Sequence, residues 1–227
     1  MIRHALNAFS VFPYYTKINA KTDDEKRLQG LLYALKNGQR VIDGKGSRPA
    51  TEWFTDVIAG GRSSIPDSVL GEAVCLVPVP SSTVTPTTPN ASTWPMLDLS
   101  ERLVAAGLAG RVHATVIRHT AVERAHVVRG TDRPLPSVED YANSLAVDLS
   151  GIAWFRTITL VDDVLSSGSN AMGVSVALRR AGFQGRVQVL TATHTVKADF
   201  QGTLAEALAS EIVWLEGRHP RAFRDNR

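Results

Sequence analysis

Two adjacent carboxylates, Asp162 and Asp163, end the apolar run Thr157–Val161, and after Val164 and Leu165 come Ser166, Ser167, Gly168, Ser169 and Asn170. Carboxylates at the end of a strand can accept hydrogen bonds from sugar hydroxyls or help to hold a divalent cation. Neighbouring strand residues point to opposite sides. One carboxylate can therefore face a ligand while the other turns away, or a local twist can present both. A glycine turn that opens a helix exposes backbone N–H groups at the positive end of the helix dipole, which suits a phosphate. The hydroxyls of Ser166, Ser167 and Ser169 and the amide of Asn170 add donors. Serine and asparagine are also ordinary helix caps, so the turn alone says little. The whole string asks for a ligand with a diol close to a phosphate, and ribose 5-phosphate is such a ligand.

A second apolar run, Ala73–Pro80, reads as a buried strand stopped by Pro78 and Pro80. Ser81 and Ser82 follow it and are candidate anion ligands. Arg118, His119, Arg124, His126, Arg129 and Arg133 crowd one further segment. They fit either a basic loop that folds over a pyrophosphate group or a solvated basic surface. Arg118, at a strand end, is the strongest catalytic candidate among them. His194 ends another strand and reads as an acceptor-site residue or as a core histidine. Trp94 reads as packing or as a platform for a base, and Cys75 as core filler.

The elements that must place these residues follow from periodicity. Leu28, Leu31, Leu32 and Leu35 share one face of a helix over Asp23–Leu35. A second helix is expected before Gly60-Gly61. Asp98 and Glu101 have capping-box spacing ahead of a helix to about Gly107. Strands are expected at 73–80, 111–119, 157–161 and 186–193. A helix is expected over 171–182 with Gly182 past its end, and another within 204–215. Alternating apolar strands and helices from residue 73 argue for a mostly parallel, Rossmann-like α/β sheet flanked by helices. Ligands of such sheets collect beyond the carboxyl ends of the strands. The division expected is a small N-terminal helical lobe (1–70), an α/β core (71–200) and a C-terminal helix with a basic tail (201–227).

The chain has 227 residues, 44% of them hydrophobic, which is enough for a sizeable core without staples. A single cysteine excludes an intramolecular disulfide and a zinc ribbon. No run of apolar residues is long enough to span a bilayer, and no secretory signal stands at the start; a cytoplasmic protein without membrane contact is expected. The net charge of +3 suits a phosphate-rich ligand or weak nucleic-acid contact and selects neither.

The string Ile158–Asn170 resembles the phosphoribosyl-pyrophosphate (PRPP) motif of the type I phosphoribosyltransferases: four apolar residues, two acidic, two loose positions, then Thr/Ser-Thr/Ser-Gly-x-Thr. Asn170 stands where threonine is usual. "FPYYTK", "LLYALKNG" and "LVPVPSS", with the basic segment ahead of "LVDDV", are more narrowly similar to the competence-protein ComF branch, without its zinc ribbon and without the "RGFNQ" that usually follows "VPVP". The resemblance implies that Asp162 and Asp163 contact the ribose hydroxyls, that Ser166–Asn170 hold the 5-phosphate, that Ser81 and Ser82 sit in the pyrophosphate loop, and that Mg²⁺ bridges ribose and pyrophosphate near the two carboxylates. The activity implied is transfer of phosphoribosyl to a nitrogen acceptor. The alternative is a non-catalytic PRPP or nucleotide sensor, or a partner in nucleic-acid processing, on the same fold. A second copy of the chain is a further candidate partner.

Overall fold

The computed structural model describes residues 3–14, 22–61, 64–83, 85, 90–123, 134–195, 208–215 and 220–224. Strands β1 (Arg3–Tyr14), β4 (Val74–Pro78), β5 (Arg111–Val112), β8 (Thr157–Leu165), β9 (Arg186–Thr195), β10 (Leu208–Leu215) and β11 (Arg221–Arg224) form a seven-stranded sheet in the order β11-β10-β1-β9-β8-β4-β5. The neighbours from β1 to β5 are parallel, while β10 runs antiparallel to β1 and β11 antiparallel to β10. This is the mostly parallel α/β sheet flanked by helices that the alternation of elements predicts.

Helices α1 (Asp23–Lys36), α2 (Ala50–Gly60) and α3 (Pro95–Ala105) cover one face. Helices α4 (Val138–Asn143) and α5 (Ser169–Arg180) cover the other. A fully apolar strand needs both covers, and every residue of β4 is buried. The chain leaves β4 through α3 to reach the edge strand β5. It later leaves β8 through α5 to reach β9, in the opposite direction across the sheet. The order reverses between β4 and β8, so their carboxyl ends open a crevice there. Ser81-Ser82 and Ser166–Asn170 follow those two ends.

Several elements differ from the sequence-based expectation, each for a local reason. Residues 3–14, expected in a helical lobe, form β1 at the middle of the sheet, with Leu6, Ala8 and Ser10 buried at a strand period. A hairpin, β2 (Arg40–Asp43) and β3 (Gly46–Pro49), precedes α2 and is held by Arg48, which pairs with Asp43 at 2.6 Å and Asp56 at 2.5 Å. Helix α3 starts one turn before Asp98 because Pro95, whose φ is already helical, takes its first position; Asp98 instead pairs with Arg102 at 3.0 Å. The strand expected over 111–119 is two short ones: β5 stays in the sheet, while β6 (Val116–Arg118) turns off to pair with β7 (Leu145–Val147). The helix expected within 204–215 is a strand over its described part. Ser210, Ile212 and Trp214 are buried there and alternate with more exposed neighbours, which is a period of two. Part of the expected basic tail, Arg221–Arg224, is β11.

Ile212 shows what β10 contributes. It is fully buried in the core under α5. Ile212→Ala is expected to lower the unfolding free energy by about 2–4 kcal/mol, the usual cost of emptying such a site. Ile42→Ala, at a position 83% exposed, should stay within about 0.5 kcal/mol of the parent. Urea unfolding of both variants checks this, and equal effects would contradict the placement of β10.

Candidate functional site

Strand β8 runs on through the acidic pair to Leu165. The carboxylates therefore lie within the ladder rather than past its end. Leu160 packs under α5 and Val161 under the opposite helices, as alternation requires. Beyond the pair the order inverts: Val164 packs with the core of Val161, and Leu165 with that of Leu160. The face assignment thus slips by one residue across Asp162-Asp163. Paired positions pass from Asp162–Thr191 to Val164–Thr193, and the Thr193 hydroxyl donates to the Asp163 carbonyl at 3.3 Å. Each carboxylate also accepts the next backbone N–H, Asp162 from Asp163 at 2.9 Å and Asp163 from Val164 at 2.7 Å.

The two acids have different surroundings. Asp163 forms an ion pair with Lys36 at 3.4 Å, from the last turn of α1. Asp162 is half-buried, and the protein crowds it on most sides. Burial first, and the adjacent Asp163 charge second, push its carboxyl well above the ordinary aspartate value.

After Leu165 the chain turns sharply into α5. Gly168 caps that helix with φ +80°, a left-handed conformation that favours glycine. A side chain at Gly168 would also meet Ile212, 2.6 Å from the position of a Cβ. Gly168 has no side chain to cap the helix, and Ser169 N–H makes only a long hydrogen bond to the Ser167 hydroxyl at 3.4 Å, so N–H groups of the first turn are available to a ligand. The hydroxyls of Ser167 and Ser169 are 2.8 Å apart, Ser166 and Ser167 are exposed, and Ser169 is buried.

Asn170 is engaged within the protein. Its amide nitrogen donates to the Pro80 carbonyl at 3.1 Å, and its side-chain oxygen accepts from Arg118 at 2.8 Å. Arg118 is fully buried at the end of β6. It also donates to the Ser81 carbonyl at 2.5 Å and to the Ser144 hydroxyl, and it lies over the Tyr141 ring at 5.5 Å. Burial lowers its pKa to about 10, while Tyr141 and Asp162 act the other way. Ser81 is exposed, with its hydroxyl 2.7 Å from that of Thr83, and the Ser82 carbonyl accepts from Val122 N at 2.9 Å.

The structure therefore gathers Asp162, Asp163, the turn 166–170, Ser81 and Arg118 at the carboxyl ends of β4 and β8. Arg118 is part of the floor there, not of a basic loop. His119 is exposed. Arg124, His126, Arg129 and Arg133 lie outside the described residues. His194 is buried and hydrogen-bonded to Ser210 at 3.0 Å. Trp94 is buried and donates to the Val79 carbonyl at 3.3 Å, so it packs beneath the β4 loop and offers no face to a base. Cys75 is fully buried, and burial pushes its thiol up to about 11. Sequence reasoning missed Lys36, Tyr141 and Ser144. Lys36 reads in sequence as an ordinary helix-end cation, and the other two fall in a stretch that reads as loop.

The two carboxylates suit Mg²⁺, which keeps several waters and takes one or two carboxylates together with ligand phosphates. Among the described residues no cluster of three or more His, Cys, Asp or Glu could hold a metal by itself. An ion that arrives with a phosphorylated ligand fits this donor set better than a resident one.

No protein-family model and no curated protein matches the chain. Among solved structures it is similar to adenine phosphoribosyltransferase from Leishmania tarentolae, at 11% identity and a TM-score of 0.30, over 86% of this chain and 89% of that one. So faint a likeness carries no argument about chemistry; the α/β fold stands on the strand order and the covered faces. Among the described residues no helix is long and apolar enough to cross a membrane.

The raised Asp162 carboxyl has a testable sign. A carboxylate whose folded pKa lies above its unfolded value binds more protons when folded. It therefore removes stability as pH rises from the ordinary aspartate value toward the folded one. Asp162→Asn is expected to raise Tm at pH 7 by about 2–4 °C, roughly 1 kcal/mol at this size, with the gain shrinking as pH falls toward 4. A gain that grew with acidification would contradict the assignment.

Proposed function

We propose that the chain binds PRPP with Mg²⁺ at the carboxyl ends of β4 and β8 and transfers the phosphoribosyl group to a nitrogen acceptor. The observation that carries this reading is the meeting, at the point where strand order reverses, of two carboxylates near the carboxyl end of β8 with the glycine turn into α5. A diol fits the first and a phosphate the second. The likeness of Ile158–Asn170 to the phosphoribosyltransferase motif supports the same ligand.

In this reading the N–H groups at the start of α5 and the serine hydroxyls hold the 5-phosphate as a remote handle. Asp162 and Asp163 accept hydrogen bonds from the ribose hydroxyls. Their negative charge favours the oxocarbenium character that develops at C1′ as the bond to pyrophosphate breaks. The acceptor nitrogen lone pair forms the new bond to C1′, and the C1′–O electron pair leaves with pyrophosphate. Asp162 and Asp163 would help to hold a Mg²⁺ ion that comes with PRPP, and the ion would offset charge on the pyrophosphate. Lys36, freed from Asp163 when a ligand takes that carboxylate, supplies a cation on the same side. Ser81 and Ser82 belong to the loop that faces the pyrophosphate.

Asn170 favours a second reading. Its side chain is held by Pro80 and Arg118, which leaves one amide N–H for a phosphate at the position where threonine is usual. A protein that binds PRPP or a nucleotide without turning it over fits that departure, including one that serves nucleic-acid processing as the ComF branch does.

Calorimetric titration of Mg-PRPP tests the site. Saturable binding is expected, weakened at least tenfold by Asp163→Asn with the circular dichroism spectrum unchanged. Pyrophosphate release in the presence of a purine or pyrimidine base, abolished by Asp163→Ala, supports transfer. Binding without release supports the second reading, and no binding of PRPP or of a nucleotide at millimolar concentration rejects both.

A further inference from the structure

A cavity of about 570 Å³ opens at the other end of the sheet from the acidic pair. Its walls come from the start of β1, the start of β9, the end of β10 and the second half of α5. The parallel strands begin there, so the cavity shares no residue with the crevice at their carboxyl ends. Its size suits one small ligand. Helix α5 lends its first turn to the crevice and its second half to this cavity.

The lining is unusual in charge. Arg179, Arg180 and Arg186 stand around it, with Glu139 the one carboxylate among the described lining residues. Arg180 is committed to Glu139 at 2.5 Å and to Asn143 at 3.0 Å. Arg179 gives one N–H to the Phe183 carbonyl at 2.8 Å and keeps its other donors. Arg186 is exposed, and no hydrogen bond or ion pair of its guanidinium is made among the described residues. After the Glu139–Arg180 pair cancels, two guanidinium groups remain with no counter-charge in the lining. Guanidinium forks match phosphate oxygens in geometry. The end of α5 gives an anion no help, since the carbonyl end of a helix dipole is negative; the arginines must supply all the attraction.

Leu6, Val176, Val187 and Trp214 back the wall but are buried, with His4 stacked on Trp214 at 4.9 Å between ring centroids, so they offer a ligand little apolar surface. Ser175 and Asn7 add polar groups for orientation. We propose that the cavity is a second ligand site, and that it takes a small organic phosphate, a class to which the nucleoside monophosphates belong. The site does not depend on what binds at the acidic pair.

The test is calorimetry on the full chain at low salt without Mg²⁺, with AMP, adenosine and inorganic phosphate as probes. Two substitutions of exposed side chains act with opposite sign. Arg186→Glu should weaken AMP binding by about tenfold or more, the scale of one lost charge-assisted contact. Glu139→Gln should tighten it by about threefold, because it removes the local negative charge and releases Arg180. AMP should bind more tightly than either fragment. The proposal is overturned if AMP does not bind at millimolar concentration, if its affinity ignores both substitutions, or if inorganic phosphate binds as well as AMP does.

Discussion

A fully buried guanidinium holds the candidate site together. Arg118 leaves β6 beneath the crevice and reaches the loop after β4, the start of α5 and the segment after α4. Those segments lie far apart in sequence, and each is a strand-end or helix-end stretch that would otherwise be held by its own short turn. A buried cation without partners would cost several kcal/mol. Here backbone and side-chain oxygens and the Tyr141 face surround it, so the groups that satisfy the charge are also fixed by it. Asn170 completes the link by donating to Pro80 from the same side-chain amide that Arg118 engages. The two loops facing the crevice are thus set relative to one another from below, and the rim above them stays open to a ligand.

The same economy appears at Gly168. Its left-handed φ and its contact with Ile212 place the last parallel connection directly against β10, a strand added antiparallel to β1. Packing of the C-terminal segment therefore supports the turn that begins α5. Since α5 also walls the cavity at the opposite end of the sheet, one helix bears on both ends of the parallel strands. Asp162 marks the cost of such a site. Burial and a like charge work against its ionised form, a tension common where binding is favoured over stability.

Much of the parallel part was legible. The apolar runs at 73–80, 157–161 and 186–193 all became strands, and Leu28, Leu32 and Leu35 all became the buried side of α1, because burial on two faces or on one helical stripe leaves a strong period. The acidic pair and the glycine turn were legible for the same reason: their order along the chain is itself the geometry. The strands β1 and β10 were harder to see. Their alternation is short, and alanine and leucine are intrinsically good helix formers, so local propensity does not point to a strand. A helix and a strand both suit such residues until a neighbouring strand supplies hydrogen bonds.

By itself the sequence determined a covered parallel sheet, its strand-end loops and the order of an acidic pair before a glycine turn, since those depend on local period and local order. Only the tertiary structure decided the use of Arg118, Asn170, Lys36 and Trp94. Each of these side chains is long or bifunctional enough to serve either a ligand or the protein. Which it serves is settled by the atoms that come within hydrogen-bond reach when distant segments meet, and no spacing along the chain encodes that distance.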